Sequence, residues 1–188
     1  VLTLPTLLTW LRIAAIPLIV GVHYTPAGWF TASQQNWIGA GLFVAAALTD
    51  WLDGYLARRL GQTSSFGAFL DPVADKLMVS AALIVLVQLG RADAFLAFII
   101  IGREIAISAL REWMAQAGRG KSVAVSTLGK VKTAVQMVAI VALLIWQDFL
   151  PGVSTKAVGT GALWIAAVLT LWSMFYYLRK ARNELRRR

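Results

Sequence analysis

Four aspartates fall within one stretch of otherwise largely apolar sequence, DWLDGYLARRLGQTSSFGAFLDPVAD, from Asp50 to Asp75. On a helix, Asp50, Asp53, Gly54 and Ala57 sit at i, i+3, i+4 and i+7, inside one arc of about 100°. In the next segment Gly67, Asp71 and Asp75 follow at steps of four, again on one face. Two helices joined by a short turn bring all four carboxylates to face each other. Such a group is too costly to leave bare in or near a membrane, so a cation should neutralise it. Carboxylates give a hard cation both oxygen ligands and negative charge, and the spacing reads as a metal site. The competing account is a set of structural ion pairs with Arg58, Arg59 and Lys76, close by in sequence. That account is the better one for an isolated D-x-x-D, while the full spacing favours the metal.

A second constellation interrupts a later apolar run. Arg103 and Glu104 are followed by Ser108, Arg111 and Glu112, and Glu104, Ser108 and Arg111 share one helical face. Ionisable groups at such depth line a cavity or pair internally. Arg103 and Arg111 read as phosphate ligands, because a guanidinium matches phosphate oxygens in a bidentate fork. Glu104 reads equally well as a packing ion pair or as part of the site. Lys130 and Lys132 open the following segment; a lipid headgroup is as good a partner for Lys132 as a bound phosphate.

The elements that position these groups follow from composition. Of 188 residues, 59% are apolar and only 14% charged, which marks an integral membrane protein. Absence of cysteine excludes thiol chemistry, thiolate ligands and disulfides. The net charge of +9 points to anionic lipid or a phosphorylated substrate rather than nucleic acid, because the basic groups lie beside apolar spans. Six apolar segments are expected to form helices, at about 7–24, 36–58, 66–89, 93–115, 127–146 and 157–178. Turn signals such as Thr25-Pro26-Ala27-Gly28 separate them. Leu4 to Thr25, with Arg12 and a short apolar core, resembles a signal peptide, but Pro5, Trp10 and the lack of a small-x-small cleavage site favour a retained helix. Pro72 is expected near a helix start or at a kink.

The fold class expected is all-α, a single domain over 1–188 built as a bundle of six transmembrane helices. Of the 18 lysines and arginines, all but Arg91 and Lys156 lie toward the side of the termini. The positive-inside rule makes that side cytoplasmic, with the acidic site at the cytoplasmic ends of the second and third helices. Trp29, Trp37 and Trp146 fall at the outer boundaries, and Arg179, Lys180, Arg182 and Arg186 to Arg188 form a basic tail facing anionic lipid. His23, near an outer loop, is not expected to bind metal. Gly39, Gly41, Gly159 and Gly161 are candidates for close helix packing.

The pattern D-x-x-D-G-x-x-A-R, eight residues, then G-x-x-x-D-x-x-x-D resembles the CDP-alcohol phosphotransferase family at every defining position. The stretches LPTLLTWLR, GAFLDPVADK, REIAISALREWMA and VAVSTLGKVKT extend the likeness, over nearly the whole chain, to bacterial members that make phosphatidylglycerol phosphate. Thr3 and Thr6 flank Pro5 where many relatives carry asparagine. The resemblance implies two divalent cations, Mg²⁺ or Mn²⁺, one on Asp50, Asp53 and Asp71 and the other on Asp50, Asp71 and Asp75. It further implies that Asp75 is the general base, that Gly54 and Ala57 leave room for the cytidine nucleotide, and that Arg58 supports its phosphates. Arg103, Arg111 and Lys130 correspond to residues associated with the acceptor phosphate. The implied reaction joins CDP-diacylglycerol to glycerol 3-phosphate with release of CMP, in a bacterial inner membrane, by a protein that forms homodimers. The alternatives are another acceptor (an inositol phosphate, serine or a lipid) and, in a different class, a cation transporter. Transport calls for polar groups on both sides of the midplane and often two related halves. Here the carboxylates are confined to one hairpin.

Overall fold

The computed structural model describes residues 4–60, 65–116, 127–148 and 152–185. Among them are six α-helices: α1 (Leu4–Gly21), α2 (Ala32–Leu60), α3 (Ser65–Gln88), α4 (Ala94–Gln116), α5 (Thr127–Ile145) and α6 (Thr155–Leu185). A 3-10 turn, Val22–Tyr24, follows α1. The expected segments are all present, with α6 running several residues further than its apolar stretch, into the basic tail. Pro72 lies inside α3 and Pro17 inside α1.

Local sequence sets the helix ends. Thr31 and Gln34 form a reciprocal capping box at the start of α2: Thr31 Oγ1 accepts from the Gln34 amide at 3.2 Å, and Gln34 Oε1 accepts from the Thr31 amide at 2.9 Å. Asp93 caps α4 by accepting from the amides of Phe95 and Leu96, at 2.8 and 3.2 Å. Helix α3 ends in a Schellman turn. Gly90 adopts φ 68°, its amide bonds Val87 O at 3.0 Å, and the Arg91 amide bonds Leu86 O at 2.8 Å.

Helix α1 packs along both α2 and α3, which touch each other only slightly. On the other side α5 packs mainly on α6, α6 also on α4, and α2 on α5. The core between these layers is built from Phe43, Met78, Leu83, Leu86, Ile100, Ile140 and Leu143, all inaccessible. A smaller cluster of Ile107, Met114, Tyr177 and Ala181 ties α4 to α6. The outer faces are the reverse of a water-soluble protein, with Trp51, Phe69, Phe98, Trp172 and Phe175 each about two-thirds exposed. Thr6–Tyr24 and Thr155–Arg179 are long and apolar enough to cross a bilayer. Val131–Ile145 is apolar but shorter.

Two glycines are close-approach points. A Cβ on Gly159 would lie 2.7 Å from Leu143 Cγ and 3.2 Å from its backbone nitrogen, so α5 and α6 meet there backbone to backbone. A Cβ on Gly39 would meet the His23 ring at 2.6 Å. Gly41 and Gly161, expected to do the same, face open space. His23 Nδ1 lies 3.2 Å from Ile19 O.

One end of the bundle is closed by Arg91. Its guanidinium donates to the carbonyls of Leu143 and Leu144 at the end of α5, at 3.3 and 3.0 Å, and to Asn36 Oδ1 at 2.8 Å. It also lies over the Trp146 ring, with Lys156 Nζ against the same indole. Trp146 itself holds φ 51°, a left-handed conformation rare outside glycine. The two expected outer-side cations thus meet around one tryptophan.

Candidate active site

At the other end, α1 supplies what the acidic stretch needs. Arg12 is buried, and its Nη1 lies 3.0 Å from Asp50 Oδ1 on α2 and 3.0 Å from Asp75 Oδ1 on α3. One turn earlier on the same face of α1, Thr9 Oγ1 donates to Asp71 Oδ1 at 2.5 Å. Two helices that barely touch therefore present their acids to a third. Asp50 and Asp75 share one nitrogen as partner, so their oxygens lie within twice that distance of each other. About two-fifths of each side chain stays exposed, 42% for Asp50 and 40% for Asp75, so both remain open to a ligand.

The sequence pattern leads one to expect direct confrontation of the two acidic helices, with Arg58, Arg59 or Lys76 as the local alternatives. The described partner is instead Arg12, from far along the chain. Arg59 stacks over Tyr55, and Lys76 bonds Ser108. Helix α2 carries Asp53, Gly54, Ala57 and Arg58 in its last turns, and α5 carries Lys130 in its first, but their side chains lie outside the described residues. Among the described residues no three acidic or histidine side chains already form a metal cage. The described donor set is nevertheless all oxygen, from Asp50, Asp71 and Asp75, with Arg12 as a counter-charge. That suits a hard divalent cation, whose binding between Asp50 and Asp75 would use the same oxygens that Arg12 holds.

Beside this cluster is a cavity of about 400 Å³ whose polar lining is Asp75, Lys76, Arg103, Glu104, Ser108 and Arg111. Helices α3 and α4 provide its described lining. Arg103 is buried, pairs with Glu104 Oε1 at 2.9 Å and donates to Ser173 Oγ on α6 at 3.0 Å. Lys132, also buried, pairs with the same Glu104 oxygen. Glu104 thus forms an internal ion pair while also lining the cavity, and Lys132 points inward to it. Arg111 lies over the Tyr177 ring at 5.3 Å and reaches its hydroxyl at 3.4 Å. Lys76 Nζ donates to Ser108 Oγ at 2.6 Å.

Of the residues singled out from sequence, Asp75, Arg103 and Arg111 line one cavity and Asp71 lies in the acid cluster beside it, while Thr9 and Arg12 were not among them. The available signal was Arg12 itself, a lone charge in an apolar span, which in a membrane helix marks an internal partner.

Carboxylates thus meet at one end of the bundle, beside a cavity that shares Asp75 and carries three basic side chains, within a bundle whose outer faces are apolar. The CDP-alcohol phosphatidyltransferase family model matches residues 2–172, and the chain belongs to that family. It is 52% identical over 184 residues to the CDP-diacylglycerol–glycerol-3-phosphate 3-phosphatidyltransferase of Pectobacterium atrosepticum, covering 97% of this chain and 96% of that one. Proteins of the same name from Sodalis glossinidius and Salmonella choleraesuis are 50% and 48% identical, each over at least 96% of both chains.

Proposed function

We propose that the chain transfers the phosphatidyl group of CDP-diacylglycerol to glycerol 3-phosphate, forming phosphatidylglycerol phosphate and CMP. Near-full-length likeness to relatives of that name supports the substrates. The observation that carries the chemistry is the double membership of Asp75, which meets Arg12 in the acid cluster and lines the basic cavity. A hydroxyl of an acceptor whose phosphate sits in that cavity comes within reach of the Asp75 carboxylate, which accepts its proton. The freed oxygen forms a bond to the lipid-side phosphorus, the pyrophosphate bridge breaks, and CMP leaves with the bonding pair. Asp50, Asp53, Asp71 and Asp75 would hold two divalent cations, Mg²⁺ or Mn²⁺, which would supply Lewis-acid charge neutralisation to the pyrophosphate and the departing nucleotide. Gly54 and Ala57 leave the nucleotide space against α2, and Arg58 supports its phosphates. Arg103, Arg111 and Lys130 border the acceptor phosphate, with Glu104 fixing Arg103 in place.

The same reading includes six bilayer crossings in a bacterial inner membrane, both termini cytoplasmic and the site opening to the cytoplasm. It is supported by the charge asymmetry and by the grouping of Arg91 and Lys156 at the end away from Asp75. A homodimer is carried by the family resemblance alone, and native mass spectrometry checks it. Detergent-solubilised protein should release CMP only with CDP-diacylglycerol, a divalent cation and glycerol 3-phosphate together. Equal release with inositol phosphate or serine would overturn the acceptor assignment.

A further inference from the structure

The cavity beside Asp75 contains a cation for which the reading above has no task. Lys76 follows Asp75 directly on α3, and its Nζ reaches α4 to bond Ser108 at 2.6 Å. The charges around it are unevenly spent. Arg103 and Lys132 divide the single carboxylate of Glu104 between them. Lys76 and Arg111, by contrast, are held by neutral hydroxyls, those of Ser108 and Tyr177. A hydroxyl fixes the position of a cation and leaves its charge available to an anion. Ser108 and Arg111 are three residues apart on α4, so Lys76, Ser108 and Arg111 share one wall of the cavity. The half-buried setting strengthens any charge-assisted bond formed there.

We propose that Lys76, steadied by Ser108, is the specificity-determining residue for the acceptor: it binds the acceptor's phosphomonoester together with Arg111. Its place next to Asp75 in the chain then fixes how far that phosphate lies from the hydroxyl to be deprotonated. Acceptors without a phosphate, or with one at the wrong separation, leave the ammonium unmatched and are rejected. The inference rests on the acceptor reading given above and adds the residue that enforces it.

The test is steady-state CMP release by the full chain in mixed micelles, with the two substrates varied independently. Lys76→Met is expected to raise the KM for glycerol 3-phosphate roughly 10- to 100-fold, the loss of one charge-assisted bond, with the KM for CDP-diacylglycerol nearly unchanged. Its preference for glycerol 3-phosphate over glycerol should fall by a similar factor. Lys76→Arg should recover part of the loss, and Ser108→Ala should raise the acceptor KM by a smaller factor. If Lys76→Met does not fold, the Arg and Ala variants decide: an unchanged acceptor KM in Ser108→Ala overturns the proposal. So does a Lys76→Met protein that loses kcat or CDP-diacylglycerol affinity while keeping its acceptor KM. Wild-type protein inactive with glycerol 3-phosphate would instead fell the acceptor reading beneath it.

Discussion

Arg12 holds two carboxylates from different helices on one nitrogen, and removing it takes a shared counter-charge from both. Arg12→Gln should therefore lower thermal stability most in EDTA, and added Mg²⁺ or Mn²⁺ should restore much of the loss. The cost should fall below the roughly 3–5 kcal/mol of breaking a fully buried pair, because both acids are partly open. A melting temperature in EDTA equal to wild type would show that the bridge carries no weight. Asp75→Asn keeps size and polarity but cannot take a proton. It should abolish turnover while largely sparing nucleotide binding, measured by CMP titration; retained activity would remove Asp75 as base. Thr9 supports Asp71 through one hydrogen bond, so Thr9→Val should act more mildly, on the scale of about 1 kcal/mol.

The helices themselves were largely legible. Apolar runs separated by turn signals such as Thr25-Pro26-Ala27-Gly28 gave their number and approximate limits, since a helix ends where its breakers sit. Which helix lies opposite which was not legible. Periodicity assigns Asp71 and Asp75 to one face but says nothing of what that face meets, and α1 came to stand between α2 and α3. The same gap explains the glycines. Gly159 and Gly161 look alike in sequence, yet only the first touches a neighbouring backbone. Gly159→Val should accordingly destabilise by about 1–3 kcal/mol through overpacking, while Gly161→Val should be tolerated, as thermal unfolding in detergent would report. Arg91→Ala removes the donor that covers two terminal carbonyls of α5 and uncovers the left-handed Trp146. A loss of about 1–3 kcal/mol is expected, with the acceptor KM unchanged because the residue is at the far end.

For the molecule as a whole, the site's polar groups lie apart from the Arg91 cluster: Arg91, Lys156, Asn36 and Gln147 at one end, Asp50, Asp71, Asp75 and the cavity at the other. A reporter fused after Leu185 should stay on the cytoplasmic side, and one inserted near Pro26 should be exported; the opposite result would invert the proposed orientation. The bridge at Arg12 also bears on biogenesis. Translated before α2 and α3, α1 would, in the proposed topology, bring a guanidinium into the lipid ahead of both its acidic partners. Expressed alone it should integrate poorly, against a penalty of up to about 3 kcal/mol for arginine at mid-span, and improve once α2 and α3 follow. The catalytic centre would then double as an assembly checkpoint, letting the leading segment settle only when the chemistry it will serve is already in place.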